Sequence, residues 1–515
     1  MRWRGGLRWA LFGALLVALA VAARATAADW PQLQNGPTRP GYSPEKLAPP
    51  FRPLWKTAFQ PERVYPATQP IVYRGKIYIG TESGNLYALN ANTGAKLWRF
   101  SAGGPILHTA GAAEGRVFFA CMDGCVYAIS AGDGKLLWRF DSGLDTGFST
   151  AVALADGLVF ALNRGGVAFA LDQQRGRLVW RRELGVPLLQ SPAYLPAQGA
   201  RHGLLVFGAM DMRVYALDGG DGSLVWRSDR LYGQAFKDYW PVIHNGRVIV
   251  RSFIAYPKPR IAARTRWYWP DNFPLTWVDP NPLREWYPNE ADWKLASEHG
   301  RWLREHSDAI ARGELPELII EAQKRLVAHY CAHPEDKDMF VLDINTGREA
   351  QVVPHWCAQT MNGATCPPCV DREGLLVVPI MFINSRWGRL DLKRGLVVDI
   401  LYDGYTYSGQ RVPEMRPGYA PIAGGGNTDE NVIVSACDGL IFSFHCQESN
   451  ANYTGVWSMD QRRWYSIAGM EWGELSHNTQ GGGASAPVIA NGLLYHMSFH
   501  SVRAWRPAAR GGEER

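Results

Sequence analysis

Apolar and polar positions alternate along residues 75–98, GKIYIGTESGNLYALNANTGAKLW, so as to predict three strands and two turns. Ile77, Ile79, Leu86 and Ala88 recur at the period of two that a strand imposes. Ser83-Gly84 supplies a tight reversal, Asn92-Thr93-Gly94 turns the chain again, and Lys96-Leu97-Trp98 opens an outer strand. The pattern returns in residues 115–138, 157–180 and 203–226, whose closing tryptophans lie 40, 42 and 46 residues apart. Several strands per unit at a period of roughly 40 to 45 residues is the arithmetic of a propeller blade, which cannot bury its own faces and must pack in a ring.

Beyond Trp226 the repeats decay but stay countable. A fifth blade begins at residues 240–243 and 246–250, is interrupted, and resumes at 339–347. A sixth starts at 368–378. The seventh uses 431–434, Asp438-Gly439, 440–444 and an outer Gly455-Val456-Trp457. The segment 487–505 supplies inner strands without an outer one, whereas Pro53-Leu54-Trp55-Lys56 has the form of an outer strand without a blade. The expected fold is therefore an all-β, eight-bladed β-propeller, with seven blades as the fallback, in which the N-terminal strand around Trp55 completes the last blade. Pro70, Pro241 and Pro487 each stand five residues before a strand glycine, which marks one structural position.

The interruption, residues 255–338, is expected to be a partly helical insertion in blade five. Leu315, Leu318, Ile319, Ala322 and Leu326 recur at helical spacing. Six tryptophans crowd its first part. Trp267, Trp269, Trp277 and Trp286 serve either as filling for a small satellite core or as an aromatic wall over one mouth of the ring.

At the start, Arg2, Arg4 and Arg8 precede an apolar run to Ala23, and Ala25-Thr26-Ala27 has the small-x-small form of a cleavage site. Residues 1–27 read as a signal peptide, 28–515 as the mature propeller. The run is short for a membrane span, which needs about 20 apolar residues, and no cysteine follows it to carry a lipid. Four of the cations behind the formal charge of +6 sit in this leader, so nothing points to a nucleic-acid partner, and the expected location is periplasmic or secreted.

The repeat form, strand, then Tyr or Phe with Ala-Leu-Asp, then Thr-Gly and a closing Trp, resembles the pyrroloquinoline quinone (PQQ)-like propeller repeat family. That resemblance implies one of two functions: a quinoprotein alcohol dehydrogenase using PQQ and calcium, or a non-catalytic exported propeller that binds protein partners, as the outer-membrane-assembly lipoprotein does. The opening Asp29-Trp30-Pro31 with Tyr42-Ser43 partly resembles the dehydrogenase signature, but Gln34 stands where that signature has glycine. No two of the eight cysteines are adjacent, whereas the enzymes carry an adjacent pair, and no Glu, Asn and Asp set matches the family's calcium ligands.

An oxidising compartment favours disulfides. Cys121 and Cys125 flank a three-residue turn and are candidates for a bridge across that hairpin. His355, Cys357, Cys366 and Cys369 form the most specific cluster: Cys366 with Cys369 reads first as a disulfide, next as a pair with no special role, and last, with the other two, as a zinc site. Cys331 is a conceivable tie to Cys357. The polar loop 467–486 carries Glu471, Glu474, His477, Asn478 and Gln480, and its triple glycine lacks the lysine and helix of a phosphate loop. Asn452 opens a glycosylation acceptor. These observations favour a monomeric binding or scaffold module for an unidentified protein or other ligand, with carbohydrate binding through the insertion tryptophans as a weaker expectation. No residue is assigned a catalytic role.

Overall fold

The structure, a computed structural model, describes residues 28–65, 68–199, 202–252, 290–355, 366–382, 385–401, 433–444, 455–467, 486–498 and 500–508. Eight sheets form eight blades. Blades one to four run from inner strand Ile71–Tyr73 to outer strand Lys96–Ser101, from Gly111–Ala113 to Leu136–Asp141, from Ala153–Ala155 to Leu178–Glu183, and from Ala193–Leu195 to Leu224–Arg227. Blade five runs from Val242–His244 to Glu349–Gln351, blade six from Cys369–Val370 to Leu396–Ile400, blade seven from Ile433–Cys437 to Arg463–Ser466. In blade eight, Val488–Ala490, Leu493–Met497 and Ser501–Pro507 are completed by Phe51–Ala58, with Trp55 opposite Ala504. The ring closes as the sequence predicts.

The core lies between blades. Ile71 and Tyr78 of blade one cluster with Val117 and Phe119 of blade two, and Val206 and Val214 of blade four with Val248 and Leu342 of blade five. Because both faces of a blade meet a neighbour, its middle strands are buried on both sides, whereas the outer strand alternates between half-buried and exposed positions.

One joint recurs from blade eight round to blade five. A glycine with positive φ in the turn before each outer strand, Gly94, Gly134, Gly176, Gly222 and Gly347, lies under the indole of the preceding blade, Trp55, Trp98, Trp138, Trp180 and Trp226. A Cβ at any of them would come within 2.3–2.7 Å of that ring, so only glycine supplies both the left-handed turn and the room. Trp55, Trp138, Trp180 and Trp226 also donate their indole N–H to a carbonyl of the next blade at 2.8–3.1 Å. A β-bulge one residue before each of these tryptophans tips the strand so that the indole reaches across.

Two departures from expectation concern the second half. The insertion does lie between two strands of blade five, Arg247–Arg251 and Met339–Asp343, but it carries two long helices, α1 (Glu290–Ala311) and α2 (Glu317–Ala332), where apolar spacing had marked only the second. In blade seven, Gly455–Ser458 is the third strand, and the outermost is Arg463–Ser466. The Trp457 reading failed because Trp464, seven residues on, also follows a turn; the indoles of Trp457 and Trp464 pack together at 5.3 Å.

Candidate functional site

The inner strands of a propeller leave backbone groups facing the axis, and those groups need partners. Residues 28–45 provide them. The N–H groups of Asn491, Val72, Ala112, Tyr194, Ile243, Val370 and Ala436 donate in turn to the carbonyls of Ala28, Trp30, Pro31, Pro37, Thr38, Pro40 and Gly41, at 2.7–3.3 Å. In blade three the Gln32 side chain serves instead, accepting from Leu154 N–H at 3.1 Å and donating to Leu154 O. One short segment thus touches all eight blades in order. Proline suits the task because it offers a carbonyl without a competing N–H. Tyr42–Ser43 then pairs with blade seven as a parallel strand, and Glu45 returns to the start. Its carboxylate accepts from Ala28 N and from Gly492 N–H of blade eight, both at 2.8 Å.

Arg39 sits inside this circle, wholly buried. Its guanidinium donates to the carbonyls of Pro192, Leu33, Gly36 and Val152 and to the Gln32 side chain. No carboxylate is among these partners, and burial lowers its pKa to about 9. Beside it, His108 Nδ1 accepts from Thr109 N–H, which leaves the ring proton on Nε2 to meet Ser191 Oγ at 3.1 Å. Burial holds His108 neutral, with a pKa near 3. That tautomer cannot take the serine proton, so the pair is a structural bridge, and Ser191 Oγ also accepts from Ala151 N–H. Calcium in the hub would need several oxygen ligands, carboxylates foremost. The described hub residues present a cation there instead, and among the described residues no group of three or more His, Cys, Asp or Glu could hold a metal. They do not fit the calcium of the quinoprotein branch.

The second polar centre lies at the root of the insertion. Asp338 receives Arg251 Nη2 at 2.5 Å and faces His355 Nδ1 at 2.9 Å, all three side chains buried. The two partners pull the Asp338 carboxyl far below its usual range, and desolvation lowers His355. Arg251 also donates to Cys366 O, and Tyr330 of α2 donates to His355 O. The cluster ties the interrupted blade to the helix and to the start of blade six.

Of the predicted site residues, His355, Cys366 and Cys369 are described and buried, but they do not converge. Cys366 packs in the core between blades five and six, Cys369 in that between six and seven. Burial pushes the Cys366 thiol up to about 11 and Cys369 well above its usual value. Cys357 lies outside the described residues, as do Trp267, Trp269, Trp277, Trp286, Asn452 and residues 468–485 with Glu471, Glu474, His477, Asn478 and Gln480. The six described cysteines form no disulfide. Cys121 N–H donates to Cys125 O across the expected hairpin, yet the Cys121 thiol points to Gly104 O at 3.1 Å. Cys331 is exposed near the end of α2.

The described helices lie against the rim. Gln323 of α2 takes both backbone groups of Val397 in the outer strand of blade six, at 2.8 and 2.9 Å, and Ala311 O of α1 accepts from Arg462 of blade seven. The outer strands of blades one to four have no such cover among the described residues. They hold Leu97, Leu136, Leu137, Leu178, Val179, Leu224 and Val225, 41–50 % exposed. The one other large hydrophobic comparably exposed among the described residues, Tyr232, follows blade four. Interleaved with them are the exposed cations Lys96, Arg99, Lys135, Arg139, Arg177, Arg181, Arg182, Arg227 and Arg230, against the acids Asp141, Glu183 and Asp229.

The profile of the family described as outer membrane protein assembly factor BamB matches residues 52–187 and 122–253. No curated protein sequence matches the chain. Among solved structures, BamB from Moraxella catarrhalis is 12% identical with a TM-score of 0.49, over 89% of this chain and 100% of its own. The computationally designed Ika8 protein is 11% identical with a TM-score of 0.49, over 88% and 99%. The quinohemoprotein alcohol dehydrogenase ADHIIG from Pseudomonas putida HK5 is 12% identical with a TM-score of 0.48, over 94% and 82%.

Proposed function

Taking as premise that the chain is a propeller of the PQQ-like repeat family, we propose that it is an exported, monomeric binding module whose partner is a protein seated on the rim of blades one to four. The exposed apolar pairs carry this reading. Contiguous apolar surface on a soluble protein marks an interaction site, and here the same strand position repeats in four adjacent blades while a helix of the chain itself covers the equivalent strand of blade six. The nine interleaved cations select an acidic, apolar partner surface and disfavour a second copy of the same rim, which would meet like charge. Leu97, Leu137, Val179 and Val225 are the unpaired residues of the outer-strand bulges. A bulged edge resists added strands, so contact is through side chains.

Export rests on the basic, apolar and small-residue order of residues 1–27; no helix among the described residues is long and apolar enough to cross a membrane. A photo-crosslinking residue at position 137 or 179 of the exported protein tests the proposal. A discrete protein adduct is expected at both positions, lost when Arg139 and Arg181 become Glu. Adducts that survive this charge reversal, or that form equally from position 324 on α2, would overturn it.

A further inference from the structure

Residues 28–45 make a complete turn around the hub, and one residue closes it: Glu45 holds Ala28 N on one carboxylate oxygen and Gly492 N–H of blade eight on the other. Asp438 N–H of blade seven donates to Glu45 O at 3.0 Å, and Asn491 N–H to Ala28 O. The first and last points of the circle, and the first and last blades it touches, therefore meet at a single residue, the start of the circle and blade eight on its carboxylate and blade seven on its backbone carbonyl. As an internal amide Ala28 N offers Glu45 one neutral donor. As a chain terminus it would offer an ammonium with three, and a charge-assisted hydrogen bond is about twice as strong as a neutral one.

We propose that the bond between Ala27 and Ala28 is a processing site and that Glu45 is the receptor for the α-ammonium that cleavage releases. A leader peptidase adds water across the bond: the carbonyl carbon of Ala27 takes the hydroxyl, and Ala28 nitrogen takes the proton and, at neutral pH, a second one from solvent. The ammonium then pairs with Glu45 and locks the circle, so the finished hub belongs to the processed chain. This rests on the leader reading above, and its failure is separable from failure of that reading.

The charged and titratable groups around the point are few. Asp29 accepts from Arg74 N–H, Lys46 follows Glu45, Cys437 and Asp438 lie on blade seven, and Tyr495 on blade eight. Arg372 lies 3.6 Å from Asp438. Burial pushes the Cys437 thiol up to about 12 and the Tyr495 hydroxyl higher still. An unperturbed α-amino group titrates near 8. A partner carboxylate raises its folded value, so its contribution is fully present below about pH 7.5 and fades as pH rises through the folded pKa.

The test compares the exported protein with a chain made without export that begins Met-Gly-Ser before Ala28, each with Glu45 and with Glu45→Gln. Intact mass of the exported protein is expected to place its first residue at Ala28. Its melting temperature at pH 6.5 is expected to exceed that of the extended chain by roughly 1–3 °C, with the difference gone by about pH 10 and absent in Glu45→Gln at every pH. Cleavage at another bond would overturn the processing site. Cleavage at Ala28 with no difference, or with one that persists in Glu45→Gln, would overturn the latch and leave the leader reading standing.

Discussion

Two joints in the same ring achieve the same end by opposite chemistry. Between blades three and four, Trp180 lies over Gly222 and donates to Gly219 O, so the contact is apolar with one neutral hydrogen bond. Between blades six and seven the tryptophan position is Asp399, opposite Arg389 across the same bulge, and the turn-glycine position is Arg462, which keeps a positive φ of 48°. Arg462 holds Asp399 at 2.8 and 3.1 Å, and Arg389 braces it while also holding Asp371 and Glu373. Between them, blade five has Gln351 at the tryptophan position. The blades where this substitution occurs are those against which the insertion helices pack, since Arg462 reaches both Asp399 and Ala311 O. A guanidinium can bind a carboxylate and a helix carbonyl at once, which an indole with a single N–H cannot. The charged joint thus joins the insertion to the ring as well as blade to blade.

The contrast can be broken from either side. Removing the indole with Trp180→Ala is expected to destabilise by about 3–5 kcal/mol, the usual cost of deleting a buried aromatic ring, with little dependence on salt. Asp399→Ala leaves two guanidiniums partly buried without their shared partner. Arg462 retains 25% side-chain exposure, so the expected cost is smaller, about 2–4 kcal/mol, and it should be partly recovered in the double variant Asp399→Leu, Arg462→Met. Denaturant midpoints at low and high salt check both; a salt-dependent Trp180→Ala or an unrecovered double variant would erase the distinction.

Acid sharpens the same contrast. The depressed Asp338 carboxyl contributes stability that is present above its unfolded pKa of about 4 and is lost as pH falls toward the lower folded value. His355 is also depressed, by burial. Its unfolded form binds a proton below about pH 6.5 while the folded form resists it, so its contribution also falls as pH drops. The charged half should therefore loosen first on acidification. Limited proteolysis between pH 7 and 4 is expected to nick the chain near α1 and α2 before any cut in residues 71–227; the reverse order would contradict this.

What the sequence made legible follows the same division. In blades one to four, strand period, turn glycine and closing tryptophan all report one geometry, so count, order and closure could be read from Gly94, Trp98 and their repeats. In blades five to seven Gln351, Asp399 and Arg462 occupy those positions as polar residues, and a search for tryptophan lands on Trp457, a third-strand residue. The length of α1 escaped because its charged face and its tryptophans mask the spacing. The circle of residues 28–45 was invisible for a different reason: it uses backbone carbonyls, which leave no side-chain pattern beyond Pro31, Pro37 and Pro40. The cysteine cluster misled because Cys366 and Cys369, with only two prolines between them in sequence, enter different inter-blade cores.

Both halves share the hub, so hydrogen exchange at the axis tests the account most directly. The amides of Val72, Ala112, Leu154, Tyr194, Ile243, Val370, Ala436 and Asn491, one from each blade, are expected to exchange only with global unfolding and at matched rates in both arcs. Fast exchange at these eight positions while the middle strands stay protected would contradict the circle of residues 28–45 that holds the eight blades to one axis.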